Sequence, residues 1–226
     1  ASSMDESVVI ELLLNRNSKD FPDVAVVVTD VENLKRNLLL FTQVKDLGIP
    51  TLLVINMADQ MKRKGITMDI SLLEETLDTK IAVVSTREKK GLEELKKMII
   101  DYRQLSTAAT ISINSIDEAY FQNLEKIFPN QSLYKLWLVI TQDVNFAKLD
   151  RKRVSDATDF KTASPSNIKR LQQKETVKRY QFINQLLTQG LNIYRAAATD
   201  LRNRFDRVLI HKFWGYVIFF VILMPM

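Results

Sequence analysis

At 226 residues and 46% hydrophobic content the chain can bury one large core or two small ones, and only five glycines and five prolines exclude any long flexible or collagen-like stretch. The lack of cysteine excludes a disulfide scaffold and every thiolate metal site, which suits a cytoplasmic setting without requiring one. The net charge of +5 comes from 32 Lys and Arg set against 27 Asp and Glu along the whole chain, with local clusters at 148–153 and 202–207. A nucleic-acid footprint concentrates into a basic stripe, so no nucleic-acid partner is expected.

In chain order, Ser3 and Glu6 have the spacing of a capping box, and Val8, Val9, Leu12 and Leu13 follow at helical intervals. Asp23 to Thr29 is a β-branched run that predicts a strand buried on both faces. Asn33 to Leu47 predicts a helix stopped by Gly48 and Pro50, and Thr51 to Ile55 a second buried strand. Asp69 can cap a short helix through Leu77, Ile81 to Val84 predicts a third strand, and Gly91 opens a helix with Leu92, Leu95, Met98 and Ile99 on one face. Apolar strands alternating with helices imply a parallel α/β sheet covered on both sides, with ligands at the carboxyl ends of its strands.

From about Ser106 the strands are expected to stop. Helices are predicted over Asp117 to Ile127, Leu133 to Ile140, Ser166 to about Tyr194 and Thr199 to Ile210, with a polar link from Ser155 to Pro165. The expected organisation is three-part: an α/β unit over 1–105, an all-α helical domain over 106–210, and the start of a membrane span over 211–226.

Two loops carry chemistry. Asn56-Met57-Ala58-Asp59 follows the second strand. A carboxylate there can accept hydrogen bonds from the ring N1–H and 2-amino group of guanine, which adenine does not offer. Asn56 would contact the base's other edge or brace the neighbouring loop. The structural alternative is a cap and turn, for which Asn and Asp are equally suited. Ser85 to Gly91 follows the third strand; its backbone N–H groups could hold a base carbonyl, or it could be an ordinary strand-to-helix loop.

Thr29 to Leu38 (with the pattern DxxNLxRNL), Gly48-Ile49-Pro50, Asn56 to Asp59, Lys64-Gly65-Ile66 and Ser85 to Leu92 resemble, in order, the second half of the GTPase domain of FeoB ferrous iron transporters. The likeness continues through Glu175 to Tyr180 and Asp206 to His211. It implies a partial P-loop GTPase-like sheet followed by the helical domain. It also implies that Asn56, Met57, Ala58 and Asp59 with Ser85, Thr86 and Arg87 bind the base of GTP or GDP. Thr86 stands where the family usually has Ala. Mg²⁺ belongs to the complete protein, and Fe²⁺ is the transported substrate, not bound in this segment. The implied location is a bacterial inner membrane, with this portion mostly cytoplasmic; a homo-oligomer is one arrangement left open.

No G-x-x-x-x-G-K-[ST] phosphate loop occurs in the sequence. Phosphate contacts and the metal carry most of the affinity and all of the chemistry, so the 226 residues alone are expected neither to bind GTP tightly nor to hydrolyse it. Both ends read as cuts: the chain opens at Ala1 and closes within an apolar run, Phe213 to Met226. That run is short of the roughly 20 residues a span requires, but Arg202, Arg204, Arg207 and Lys212 precede it and Trp214 and Tyr216 open it, as expected of a first span. A buried terminal helix or strand is the alternative. His211, the only histidine, makes a poor metal site by itself, and the methionines read as core filling. Two other functions remain open from sequence: a soluble GTPase or RNA-associated factor with a helical appendage, and a nucleotide-independent helical adaptor.

Overall fold

A computed structural model describes residues 12–15, 18–129, 131–141 and 164–193. The Ser3–Glu6 capping box, the link over 155–163, the Thr199–Ile210 helix, His211 and the apolar run over 213–226 lie outside the described residues.

Three strands, β1 (Ala25–Asp30), β2 (Thr51–Asn56) and β4 (Ile81–Val83), form a parallel sheet in the order β1-β2-β4. The helix α1 (Leu34–Lys45) follows β1, and its Leu34, Leu38 and Phe41 are buried against Val27, Leu53 and Ile55 of the sheet. On the opposite face, Leu52, Val54, Ala82 and Val84 meet Leu92, Leu95, Met98 and Ile99 of α4 (Leu92–Ile100). Alternate residues of a strand point to opposite faces, which is why β2, apolar from Leu52 to Ile55, can serve two cores at once.

The first strand departs from expectation. The prediction of burial on both faces fails there, because Val26 and Val28 are exposed, Val28 at 58%. β1 is an edge strand of the described sheet, and the face it shows opposite α1 is uncovered among the described residues. Its exit forms a tight corner. The Asp30 carboxylate accepts from the Asn33 backbone N–H at 2.9 Å and from the Asn33 amide, while Asn37 Nδ2 donates to Thr29 Oγ1 at 3.0 Å. The polar residues of the DxxNLxRNL segment thus fix where α1 starts, and its leucines fill the core.

Two elements between β2 and β4 were not anticipated. Residues Ala58–Lys64 form a helix, α2, so Ala58 and Asp59 belong to its first turn rather than to a loop. After Gly65 (φ 65°), Ile66–Met68 form β3. The helix α3 (Ile70–Leu77) is capped as predicted, by Asp69 accepting from the Leu72 N–H at 3.0 Å.

Beyond residue 105 come α5 (Glu118–Ile127), capped by Asp117, α6 (Leu133–Thr141) and the 26-residue α7 (Pro165–Gly190). The predicted helix to Tyr194 ends at Gly190, and Leu191–Ile193 form β5, antiparallel to β3. The expectation that strands stop at Ser106 is therefore corrected. α7 serves two cores: Ile168 and Leu171 join Trp137, Phe121 and Leu124, whereas Ile183 and Leu186 join Leu73, Leu77 and Phe41. A buried charge cluster lies where α1, α6 and α7 meet. Arg179 Nε donates to Glu175 Oε1 at 2.9 Å, Trp137 Nε1 donates to Glu175 Oε2 at 2.7 Å, and Arg179 Nη1 stands 2.7 Å from Asp46 Oδ2. Asp46 Oδ1 also accepts from the Thr110 N–H at 2.6 Å, tying in the stretch between the α/β part and the helices. No helix of the described residues is long and apolar enough to cross a membrane.

Candidate functional site

The carboxyl ends of β2 and β4 carry the residues singled out by sequence. Asn56 ends β2, and Met57 turns the chain with φ 63° and ψ 38°, a left-handed conformation uncommon for a residue with a Cβ. This sharp turn starts α2 at once. The Ala58 N–H donates to Val84 O at 3.1 Å, pinning the start of α2 to the neighbouring strand end. Asp59 then sits in the first helical turn, where the helix dipole favours a negative charge, and Lys62, Arg63 and Lys64 occupy the last turn, where it favours positive ones.

The loop after β4 is held independently. Ser85 and Lys90 exchange backbone hydrogen bonds, both at 3.0 Å, making a closed loop stitched by Glu88 N–H donating to Ser85 Oγ at 3.2 Å. Gly91 closes it with φ 74°; an added Cβ would lie 2.5 Å from Val83 O, so the close return onto β4 requires glycine.

The two loops meet. Ser85 Oγ donates to Asp59 Oδ1 at 2.9 Å. Thr86 N–H donates to Asn56 Oδ1 at 3.3 Å, and the Thr86 hydroxyl lies 3.4 Å from the same amide. Asn56 therefore braces the neighbouring loop, one of the two roles open from sequence. Asp59 is largely buried, and its Oδ2 lies 3.7 Å from Arg63 Nη2, one helical turn on.

A cavity of about 450 Å³ opens beside this contact, lined by Ala58, Asp59, Ser85 and Arg87 together with Lys62, Arg63 and Lys90. Of the seven residues singled out, Ala58, Asp59, Ser85 and Arg87 line the cavity, and Asn56, Met57 and Thr86 do not. Lys62 and Arg63 were not anticipated, whereas Glu88 and Lys90 lie in the Ser85–Gly91 loop without having been named as site residues. Arg63 could have been found by its i,i+4 spacing from Asp59 once α2 was known to be helical. The arrangement supplies a semi-buried carboxylate, a hydroxyl, a cation at Arg87 with no partner among the described residues, and Val83 in the lining. Those are the features of a pocket for a flat, hydrogen-bonding ligand. Among the described residues no group of three or more His, Cys, Asp or Glu side chains could hold a metal ion.

Comparison with known proteins places these observations. The family model described as ferrous iron transport protein B matches residues 1–99. An Fe(2+) transporter FeoB of Leptospira biflexa is 27% identical over 237 residues, covering 97% of this chain and 33% of the relative. One of Campylobacter jejuni is 35% identical over 96 residues, 42% of this chain and 15% of the relative. The chain thus spans about a third or less of the curated relatives it matches. Among solved structures, the cytosolic domain of the T. maritima FeoB iron transporter in GMPPNP form has a TM-score of 0.71 at 19% identity, covering 84% of this chain and 75% of the other. The mGMPPNP-bound NFeoB of S. thermophilus has a TM-score of 0.61 at 21% identity, over 83% and 73%. At such identities the structures establish the α/β fold with its parallel sheet, and the family model over residues 1–99 together with the curated relatives supports a fragment of the FeoB type of ferrous iron transporter.

Proposed function

We propose that this chain is the guanine-recognising portion of the cytoplasmic, GTP-binding region of a membrane Fe²⁺ transporter. The observation that carries the reading is the 2.9 Å contact between Ser85 Oγ and Asp59 Oδ1 beside the cavity at the strand ends. In this assignment Asp59 accepts from N1–H and the 2-amino group of guanine. Ser85 holds the carboxylate in place, Asn56 and Thr86 brace the two loops, and Met57, Ala58 and Arg87 border the base. Support comes also from the family match and from relatives whose cytosolic domains are described with GDP or GMPPNP.

The residues fit the base of a nucleotide and not its metal. Phosphoryl-transfer proteins of this class hold Mg²⁺ partly through a Ser or Thr of the phosphate loop, and that motif does not occur in the sequence. Hydrolysis is accordingly assigned to the complete protein and no step of it to the residues described. The edge of β1 and the bare face at Val26 and Val28 suit pairing with, and cover by, a further strand and helix of a GTPase domain. Residues 1–105 are read as the later part of that domain, 106–210 as the helical domain, and 211–226 as the start of a first span that tethers it to the inner membrane.

The test is competition for the full-length protein in membranes among GDP, ADP and IDP, whose hypoxanthine lacks the 2-amino group. A hydrogen bond to a charged acceptor contributes about 1.5–3 kcal/mol. IDP should therefore bind roughly 10- to 150-fold more weakly than GDP, and ADP more weakly again. Equal affinities for GDP and ADP would overturn the assignment.

A further inference from the structure

Asp59 meets a different neighbour with each of its carboxylate oxygens. Its side chain is 10% exposed. Oδ1 accepts from Ser85 Oγ at 2.9 Å, across the two loops. Oδ2 lies 3.7 Å from Arg63 Nη2, on the same helix, and among the described residues no other cation stands within ion-pair distance of this carboxylate.

The sequence of α2 fixes that approach. Met61 is buried in the core beneath the helix, which sets the rotation of its seven residues. At about 100° per residue, Asp59 and Arg63 project within about 40° of each other, each roughly 160° away from Met61. The acid stands in the first turn and the base in the last, the order in which an i,i+4 pair is favourable. The other cations lining the cavity are disposed differently. Lys90 Nζ pairs with Glu88 Oε2 at 2.7 Å, and Lys62 and Arg87 have no ion-pair partner among the described residues. Gln60, next to Asp59, turns its amide toward Met57 Sδ at 3.4 Å.

In the empty pocket the pair contributes little, because Arg63 is 52% exposed and water screens it. A bound base changes this balance. It covers the carboxylate, displaces water and offers only neutral donors, N1–H and the 2-amino group, in return. A charge stripped of water is costly unless a countercharge is at hand, and the attraction of Arg63 grows as the effective dielectric falls. Geometry adds to charge. With Ser85 on one oxygen and Arg63 on the other, the plane of the carboxylate is fixed. Held at Oδ1 alone, it can turn about its Cβ–Cγ bond and lose the alignment that two parallel donors demand.

We propose that Arg63 is a positioning residue for guanine specificity: acting through Asp59, it keeps both carboxylate oxygens aimed into the cavity and offsets the loss of water when the base covers them. The inference rests on the reading of the Asp59 cavity as a guanine site and names a determinant of its selectivity outside the two recognition loops' own motifs.

The test is competition of GDP and IDP against a fluorescent GDP on the full-length protein in membranes, for the unmodified protein, Arg63→Met and Arg63→Lys. The readout is the ratio of the IDP and GDP dissociation constants. A variant that merely loosens α2 lowers the binding-competent fraction and weakens both nucleotides by one factor, leaving the ratio unmoved. Arg63→Met should reduce the ratio at least about threefold from its wild-type value, while Arg63→Lys, which keeps the charge, stays within about twofold of it. A smaller change in Arg63→Met, or an equal loss in Arg63→Lys, overturns the proposal. Arg63→Gln, also uncharged, gives the same comparison if Arg63→Met fails to fold. A ratio near one in the unmodified protein would instead overturn the guanine reading beneath the proposal.

Discussion

Arg179→Met removes the cation that bridges Glu175 and Asp46 in a buried cluster without removing much volume, and its cost can be worked from the geometry. Arg179 is 1% exposed, with Glu175 and Asp46 as its acidic partners and the Tyr134 ring 5.0 Å from its guanidinium carbon. Nη1 is close to Asp46 Oδ2 but out of line for a hydrogen bond, so that contact is held by charge. Without Arg179, two carboxylates share the junction with neutral donors, Trp137 Nε1 and the Tyr134 hydroxyl toward Glu175 and the Thr110 and Ile111 N–H groups toward Asp46. Breaking one side of a buried pair costs about 3–5 kcal/mol. With an m-value of about 2 kcal/mol/M, the urea midpoint of the variant should fall by roughly 2 M. The pH dependence carries a sign. Burial raises the Asp46 pKa above its ordinary 3.8, against the pull of Arg179. The folded state therefore holds that proton more tightly than the unfolded one, and stability is lost as pH rises from the unfolded value through the folded value. Removing Arg179 moves the folded value higher still, so the deficit of the variant should shrink between pH 7.5 and pH 5. Urea melts of both proteins at the two pH values provide the assay. A deficit below about 1 kcal/mol, or one independent of pH, would refute the view that this cluster is an ion pair whose loss strands a charge.

Three further outcomes follow. Lys45→Met leaves Asp78 O and Ser106 O without the ammonium that donates to them at 2.7 and 3.1 Å, and should cost about 1–3 kcal/mol in the same melts. Because burial lowers the Lys45 pKa, the wild-type protein should gain stability as pH rises from that lowered value toward 10.5, a gain the variant lacks. Gly91→Ala forces a Cβ against Val83 O in a left-handed conformation and should destabilise by about 1–3 kcal/mol, with hydrogen exchange rising first over 85–90. The 226-residue chain by itself should show no micromolar GTP binding by calorimetry; micromolar affinity would contradict the assignment of phosphate contacts to residues outside it.

The parallel sheet was legible because buried strands leave uninterrupted apolar runs at 51–55 and 81–84, and the caps at Asp69 and Asp117 because their carboxylates precede helical periodicity. The run at 23–29 misled for a physical reason: valine reads the same whether its face is covered or not, and only the sheet order shows β1 to be an edge. α2 went unread because Ala-Asp-Gln-Met-Lys-Arg-Lys carries no apolar stripe; it is held by its Met61 and by the bond to Val84 O. β3 and β5 are three residues each and exist through pairing across more than a hundred residues of sequence, which no local pattern encodes. The burial of Arg179 has no local signal in the sequence beyond Glu175 four positions earlier, its partner on the same helix. In the site, the family resemblance singled out two loops that the Asp59–Ser85 contact brings together, whereas Lys62 and Arg63, which line the cavity beside them, came only with the fold.

The measurement that bears most directly on guanine recognition is the base preference of Asp59→Asn in the full-length protein. An amide at position 59 offers a donor where the carboxylate offered only acceptors, and xanthine presents a carbonyl where guanine presents its amino group. GDP affinity should fall by at least about tenfold while XDP binding rises to exceed it. Unchanged GDP binding with no gain for XDP would remove Asp59 from the site.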